Sequence, residues 1–300
     1  MIHAIRTATP ADLENLLVLL DEEFVFRRGR ALSFGQRFPT VYSPENAGNI
    51  FIAEDKGMIV SALATKHFDW LDEGESFRGA MVGSVCTHPL RRNEGWASRL
   101  LAAAREKMQQ DEVDFAVLWT RFPAIYARAG WISGDCGLLG ELAGAAHIGT
   151  TAAAVTRSPA DAANIPLIES IRRRWLTSLT LRCAGDYRHL PPPAEKVSLL
   201  YYGKGTETAG YALVGQSGNT GIVYEIIGHF EGFPALWATI CGQHQHIIIN
   251  DRPESDSHRW LVRNTSATWQ DKPLAMWLPL SRKADMARIP AWYIPYFDRI

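Results

Sequence analysis

The same order of strand and helix signals occurs twice along this chain of 300 residues. In the first half, apolar patterns with strand or helix periodicity indicate elements at residues 2–6, 11–26, 49–54, 58–67, 79–88, 94–108 and 115–120. The second half begins again with a strand and a helix, then a hairpin, a strand, a helix and a strand. This repetition predicts a tandem duplication in an α/β (α+β) fold, with domains at residues 1–145 and 146–300. The glycine- and alanine-rich stretch 137–150 predicts a linker or a strand that crosses between the domains.

The charge and hydropathy of the chain limit its partners. Lysine and arginine number 31, aspartate and glutamate 32, and the formal net charge is −1. Because nucleic-acid-binding proteins carry a basic surface, we expect no nucleic-acid partner, and we expect Arg172–Arg174 to lie on a solvated helix face. No apolar run is long enough to span a membrane, and the first residues lack a signal core. We therefore expect a cytoplasmic protein with no membrane partner; an oligomer is possible.

The cysteines give no metal or disulfide signal. They are Cys86, Cys136, Cys183 and Cys241. Because they lie far apart and form no Cys-x-x-Cys pair, they argue against a zinc site and against a disulfide framework. We expect no metal cofactor.

One segment combines a strand end, a turn and a helix start. It reads Ser84-Val85-Cys86-Thr87-His88-Pro89-Leu90-Arg91-Arg92-Asn93-Glu94-Gly95-Trp96-Ala97. The first turn of a helix leaves backbone N–H groups without partners and carries partial positive charge, so a diphosphate can bind there. Each contact contributes only about 0.3–1 kcal/mol, so several N–H groups must converge. Small residues such as Gly95 and Ala97 allow that close approach.

This segment resembles the acetyl-CoA loop of the GNAT acetyltransferases, which reads Arg or Gln, two residues, Gly, one residue, then Gly or Ala. Residues 92–97 fit that pattern, with Asn93 and Ala97 in place of more frequent glycines. The resemblance implies acetyl-CoA as co-substrate and, in each domain, a mixed, mostly antiparallel sheet flanked by helices. It implies cofactor-binding residues on a strand that pairs with the pantetheine arm and in the loop, namely Val85, Cys86, Thr87, Arg92, Asn93, Glu94, Gly95, Trp96, Ala97 and Ser98.

A second motif follows at the separation found in the GNAT family. It reads Pro123-Ala124-Ile125-Tyr126-Ala127-Arg128-Ala129-Gly130-Trp131. The family carries a tyrosine here on a short helix, and the resemblance therefore implies Tyr126 as the general acid. Attack of an amine on the thioester expels CoA as a thiolate, and a tyrosine with a pKa of about 10 keeps a proton to donate to it. Two other interpretations are weaker: Tyr126 only packs against the cofactor, or Cys86 acts as a nucleophile, although strand cysteines are usually buried and inert.

The general base is harder to assign. A protonated amine must lose its proton before it attacks, and Glu22, Glu23 and Asp69 are candidates by position only. The tandem arrangement resembles the mycobacterial enhanced-intracellular-survival acetyltransferases, in which a terminal carboxylate acts as base. That resemblance implies Ile300 in this role, although the chain is shorter than those proteins.

The second half departs from the cofactor pattern. Where its duplicated helix should begin, it reads His229-Phe230-Glu231-Gly232-Phe233. Phe230 and Phe233 stand where a diphosphate needs small residues, and Glu231 would repel it. We therefore expect a degenerate GNAT-like domain that completes the acceptor cleft.

The predicted function is an N-acetyltransferase that moves acetyl from acetyl-CoA to a small-molecule or peptide amine by direct transfer in a ternary complex. Two alternatives stay open: a non-catalytic acyl-CoA-binding or regulatory module, and an acyltransferase that uses a different acyl group.

Overall fold

The computed structural model describes residues 5–143, 155–159, 161–203, 209–284 and 288–300. The strands are β1 (Ile5–Thr7), β2 (Ile50–Asp55), β3 (Met58–Asp72), β4 (Glu75–Thr87), β5 (Phe115–Trp119), β6 (Ile132–Ser133), β7 (Leu138–Ala143), β8 (Val155–Ser158), β9 (Ser178–Leu181), β10 (Lys196–Tyr202), β11 (Gly210–Ser217), β12 (Thr220–Gly228), β13 (His246–Asp251), β14 (Thr268–Asp271) and β15 (Ala275–Pro279). The helices are α1 (Leu13–Phe24), α2 (Phe34–Arg37), α3 (Trp96–Gln110), α4 (Pro123–Ala127), α5 (Ile165–Trp175), α6 (Phe233–Gln243) and α7 (Asp256–Asn264). None of these helices is long and apolar enough to cross a membrane.

The first sheet has the strand order β1-β2-β3-β4-β5-β15-β6, and β9 pairs with the far end of β3. β4 and β5 are parallel, while β3–β4 and β5–β15 are antiparallel. Helices cover both faces of this sheet. On one face α3 buries Leu100, Ala104 and Met108, which recur at helical spacing, and on the other α1 buries Leu16 and Leu20. Each of these larger side chains contributes about 1.5–3 kcal/mol of burial free energy.

The second sheet repeats this arrangement, with the order β14-β7-β13-β12-β11-β10-β8. Its parallel pair is β12–β13, and β7, β10 and β11 pair antiparallel with their neighbours. The predicted architecture of two mixed, mostly antiparallel sheets flanked by helices is confirmed.

The two halves of the chain exchange strands. β7 lies before residue 145 but joins the second sheet, between β13 and β14. β15 comes from the second half but lies in the first sheet, between β5 and β6. The predicted domain-crossing strand is therefore confirmed at β7, while residues 144–150 lie outside the described ranges. The division of the chain at residue 145 stays a prediction, and strands cross it in both directions.

A buried group of charged side chains lies where the halves meet. Arg182 donates two hydrogen bonds of 2.7 Å to the carboxylate of Glu225, and its Nε lies 2.5 Å from Asp298. The expectation that residues 172–174 are solvated is wrong for Arg172, which is fully buried because its guanidinium bonds to Glu169 at 2.8 Å and to Thr180 at 3.1 Å. Burying an arginine requires such partners.

Candidate active site

The parallel strands β4 and β5 pair over three residues only, Gly79–Met81 with Phe115–Val117. Further along β4, Ser84 has a φ of 51° and the register with β3 shifts, which marks a bulge. Residues 82–87 keep β3 as partner on one side. On the other side, no strand of the described residues pairs with them. The result is an open strand edge that faces a gap between β4 and β5.

Two left-handed residues lead the chain from β4 into α3. Asn93 has a φ of 67° and Gly95 a φ of 78°. Glycine adopts such angles without steric cost, whereas other residues are strained there. A Cβ placed on Gly95 would have no heavy atom within 4 Å, so the space beside it is open. The first turn of α3, Trp96 to Ser98, therefore borders open space with N–H groups that have no partner within the helix.

A cavity of about 610 Å³ joins the open strand edge to this helix start. Its lining contains most of the residues predicted to bind the cofactor, namely Val85, Cys86, Thr87, Arg92, Asn93, Gly95, Trp96, Ala97 and Ser98. Tyr126, from the second motif, also lines the cavity. Its α4 follows β5, so the divergence of β4 and β5 sets the two motifs on opposite walls of one space.

Positive charge predominates along the cavity wall. Three arginines, Arg28, Arg91 and Arg92, and one carboxylate, Glu23, belong to the lining. Arg92 donates a 2.7 Å hydrogen bond to Glu23, which holds its half-exposed side chain beside the loop. Arg91 bonds to Asp55 on the neighbouring hairpin. These pairs fix two cationic groups near the start of α3, where they add to the partial positive charge of the helix end.

Glu94 is the predicted cofactor-binding residue that does not line the cavity. Its carboxylate accepts hydrogen bonds of 2.9 Å from Arg91 and from the indole of Trp96. Trp96 is buried, and the guanidinium of Arg99 lies 3.8 Å from the centre of its ring. The side chain of Glu94 thus stabilises the helix start from outside, and its place in the cofactor set stays a prediction.

Burial changes the acidity of two groups on the cavity wall. It raises the pKa of Tyr126, so the hydroxyl holds its proton through the neutral range. Burial, assisted by the charge of Glu23, raises the pKa of the Cys86 thiol to about 12. A thiol in this state has almost no thiolate at neutral pH and is a poor nucleophile.

The candidate bases are spread over the molecule. Glu22 is exposed and lies 3.4 Å from Arg27, and Asp69 lines a different cavity, on the strand that pairs with β9. Glu23 lines the cavity of about 610 Å³, where its carboxylate accepts a hydrogen bond from Arg92. Ile300 lies at the gap between β4 and β5: a Cβ placed on Gly83 would be 2.7 Å from its main-chain oxygen. The structure therefore brings Ile300 to the gap and leaves Glu22 and Asp69 elsewhere.

Comparisons with known proteins agree with this geometry. Residues 4–133 match the family described as acetyltransferase (GNAT) domain. This part of the chain is therefore similar to a GNAT acetyltransferase domain.

Solved structures with a similar fold match 92–93% of the chain, which is more than residues 4–133. A GCN5-related N-acetyltransferase from Kribbella flavida is 18% identical, has a TM-score of 0.68 and is covered over 70% of its length. Eis1 from Mycobacterium abscessus is 16% identical, with a TM-score of 0.62 and 74% coverage. A tandem GNAT protein from the clavulanic acid biosynthesis pathway is 12% identical, with a TM-score of 0.56 and 99% coverage. At these identities the likeness establishes the fold alone. No curated protein sequence matches the chain.

The sequence did not predict all residues that line the cavity of about 610 Å³. The additional lining residues are Phe24, Arg28, Arg91, Phe122 and Ile125. Phe122 is 69% exposed and Ile125 51% exposed, which is unusual for large apolar side chains on either side of a short helix start. Exposed apolar residues that cluster at a cavity mouth indicate a ligand surface. In the sequence, the signal for these two residues was their position beside Pro123, where the short helix of the second motif begins.

The second sheet has a corresponding gap. β12 and β13 pair in parallel only over Thr220–Val223 and His246–Ile249, and a smaller cavity of about 200 Å³ lies beyond them. Phe233, the first residue of α6, lines this cavity, as Trp96, the first residue of α3, lines the larger one. Within the described residues, no three His, Cys, Asp or Glu side chains are placed to hold a metal ion.

Proposed function

We propose that this chain transfers the acetyl group of acetyl-CoA to an amine, directly and within a ternary complex. The observation that carries the proposal is that one cavity is lined by an open strand edge at residues 85–87, by the first turn of α3 and by Tyr126. These are the three parts that binding and transfer require. Its volume of about 610 Å³ lies within the range of about 300–1,000 Å³ usual for ligand sites.

Acetyl-CoA would bind along β4. Its pantetheine arm contains amide groups, which can pair with the open N–H and C=O groups of residues 85–87 as an added strand. Its diphosphate would lie at the start of α3, where Ala97 and Ser98 present backbone N–H groups and where Arg91 and Arg92 add positive charge. From the diphosphate at the start of α3, the pantetheine arm would run along β4 from residue 87 to residue 85. The thioester at its end would then lie at the β4–β5 gap.

In the transfer step, the nitrogen of the amine attacks the thioester carbon, a C–N bond forms and the C–S bond breaks. The departing sulfur gains negative charge and takes a proton from Tyr126, whose raised pKa keeps that proton available. The nitrogen loses its proton to a base. The predicted base is the main-chain carboxylate of Ile300, whose oxygen lies at the gap. The raised pKa of the Cys86 thiol keeps it protonated, which supports direct transfer over a covalent enzyme intermediate.

The second half would complete the acceptor cleft without binding CoA itself. Phe233 occupies the helix start of its smaller cavity, and no equivalent of the arginine-containing loop precedes α6. Its strand β15 and its last residues reach into the first sheet and the β4–β5 gap. An amine would therefore approach the thioester between the two halves, with residues of both lining its path.

The proposal is tested by binding first and turnover second. Acetyl-CoA should raise the Tm of the full chain, and a panel of small amines, polyamines, aminoglycosides and lysine peptides should contain an acceptor that releases free CoA. Binding without CoA release for any amine would favour the non-catalytic acyl-CoA-binding module instead. Absence of binding would contradict both.

A further inference from the structure

Gly83 and Ile300 are in direct contact at the β4–β5 gap. A Cβ placed on Gly83 would be 2.7 Å from the main-chain oxygen of Ile300 and 3.0 Å from its side-chain Cγ1. Side chains do not tolerate contacts this short, so only glycine allows Ile300 to lie so close to β4. The main chain and the side chain of Ile300 therefore both cover the strand at this point.

Along β4, this contact lies just beyond one end of the cavity lining. Along β4 the lining runs through Thr87, Cys86 and Val85 and then stops. The next residue, Ser84, is hydrogen-bonded to the hydroxyl of Tyr42, and the residue beyond it is Gly83, beneath Ile300. A group that extends from Val85 further along β4 would therefore approach Ile300.

Neighbouring residues hold Ile300 in place. The guanidinium of Arg299 lies 4.9 Å from the ring centre of Trp119 and 5.5 Å from that of Tyr293, and its Nε donates a 3.0 Å hydrogen bond to the main-chain oxygen of Ile294. Asp298 is buried and paired with Arg182. Because a closely packed wall yields little, an additional methylene group against it is strongly disfavoured.

We propose that the side chain of Ile300 sets the acyl-chain length that this chain accepts, by limiting the site to an acetyl group. The inference rests on the proposed function, because it places the acyl group beyond Val85 at the end of the pantetheine arm. The acyl carbon chain would then point toward Gly83 and end against Ile300. Discrimination of roughly 10–200-fold per added methylene is the range expected for a closed apolar pocket.

The test compares dissociation constants of acetyl-, propionyl-, butyryl- and hexanoyl-CoA for the full chain and for Ile300→Ala. The substitution shortens the side chain and leaves the main chain in place. We expect the wild type to bind butyryl-CoA at least about tenfold more weakly than acetyl-CoA, and Ile300→Ala to reduce that ratio to about threefold or less. Ile300→Val, a smaller change, should give an intermediate ratio.

Ile294→Ala is the matched control. Ile294 is a buried isoleucine of the same last ten residues, whereas Ile300 is half-buried, and the three atoms nearest to a Cβ on Gly83 all belong to Ile300. This variant should lose stability and keep the wild-type ratio of butyryl- to acetyl-CoA binding.

Two results overturn the proposal. If acetyl-CoA binds but Ile300→Ala keeps the wild-type chain-length profile, the role of Ile300 is wrong and the proposed function stands. If no acyl-CoA binds to the wild type, the proposed function and the role of Ile300 both fail.

Discussion

Asp298 and Arg182 form a buried ion pair in which the carboxylate Oδ1 lies 2.5 Å from the guanidinium Nε. Arg182 follows β9, which pairs with the first sheet, and it also bonds to Glu225 on β12 of the second sheet. One side chain thus connects both sheets to the segment that ends at Ile300.

Asp298→Asn should therefore destabilise the whole chain. Removing one partner of a buried charge pair leaves the other charge poorly compensated and costs about 3–5 kcal/mol. The free energy of unfolding can be measured by denaturant titration at pH 7. The exposed Asp271→Asn is the control and should change that free energy by less than about 0.5 kcal/mol. Equal stability of both variants would contradict the structural role of the pair.

The ion pair between Asp298 and Arg182 also predicts how the stability of the chain depends on pH. Although burial alone would raise the pKa of Asp298, the charge of Arg182 lowers it to about 2. A carboxylate with a depressed folded-state pKa contributes stability above its unfolded pKa, and this contribution is lost as the pH falls through the folded value. Between pH 4 and pH 2 the wild type should therefore lose on the order of 2 kcal/mol more stability than Asp298→Asn. If wild type and Asp298→Asn lost the same free energy of unfolding between pH 4 and pH 2, the pKa of Asp298 would not be lowered by the pair.

Tyr126→Phe should separate binding from transfer. It removes the hydroxyl and keeps the ring that packs beside Trp131, so the Kd for acetyl-CoA should not change. Loss of the proton donor should lower kcat by between about 10²- and 10⁴-fold. Because the pKa of Tyr126 is raised, wild-type kcat should not fall through ionisation of this group below about pH 10. Tyr201→Phe, in the second sheet, is the control, and an unchanged kcat in Tyr126→Phe would exclude the acid role.

Cys86→Ala should retain turnover. The thiol is buried and its pKa is raised to about 12, so direct transfer does not need it. We expect kcat within about threefold of wild type, with a stability loss of about 1 kcal/mol for the removed atom. Turnover that falls to background, together with a trapped acetyl group on the wild-type protein, would favour a covalent route through Cys86.

The exchange of strands predicts that residues 1–145 do not fold alone. Without β15, the edge of β5 is unpaired, and the first sheet lacks Met276 and Leu278 from its core. An exposed apolar edge of this kind favours aggregation over a monomeric fold. The purified fragment should show no cooperative thermal unfolding. A soluble fragment that binds acetyl-CoA with the affinity of the full chain would show that the first half is independent.

Much of the fold was predictable because it is encoded locally. The hairpin around residues 55–57 is present as β2 and β3, and the helix expected at 94–108 is found at Trp96–Gln110. Apolar spacing and turn residues act over a few positions and can be read from one sequence. The loop motif and Tyr126 were assigned to one site through their resemblance to the GNAT family, and both line the same cavity.

What could not be predicted depends on distant partners. β9 and β15 are short, and their positions in the first sheet follow from strands about a hundred or more residues away. The burial of Arg172 depends on Thr180 and on the charges near Arg182, which no local pattern of residues 172–174 indicates. The contact between Gly83 and Ile300 likewise joins two residues that are far apart in the sequence. Long-range pairing of this kind has no signature in a short window of sequence.

The central claim, that acetyl-CoA binds at the start of α3, is tested most directly by calorimetric titration of wild type, Ala97→Asp and Ala102→Asp. An aspartate in the first turn favours the helix but repels a diphosphate bound there, whereas exposed Ala102 lies further along α3. The account predicts one acetyl-CoA per wild-type chain, an affinity reduced by roughly tenfold or more in Ala97→Asp without loss of Tm, and no change in Ala102→Asp. Equal affinity in all three proteins would contradict it.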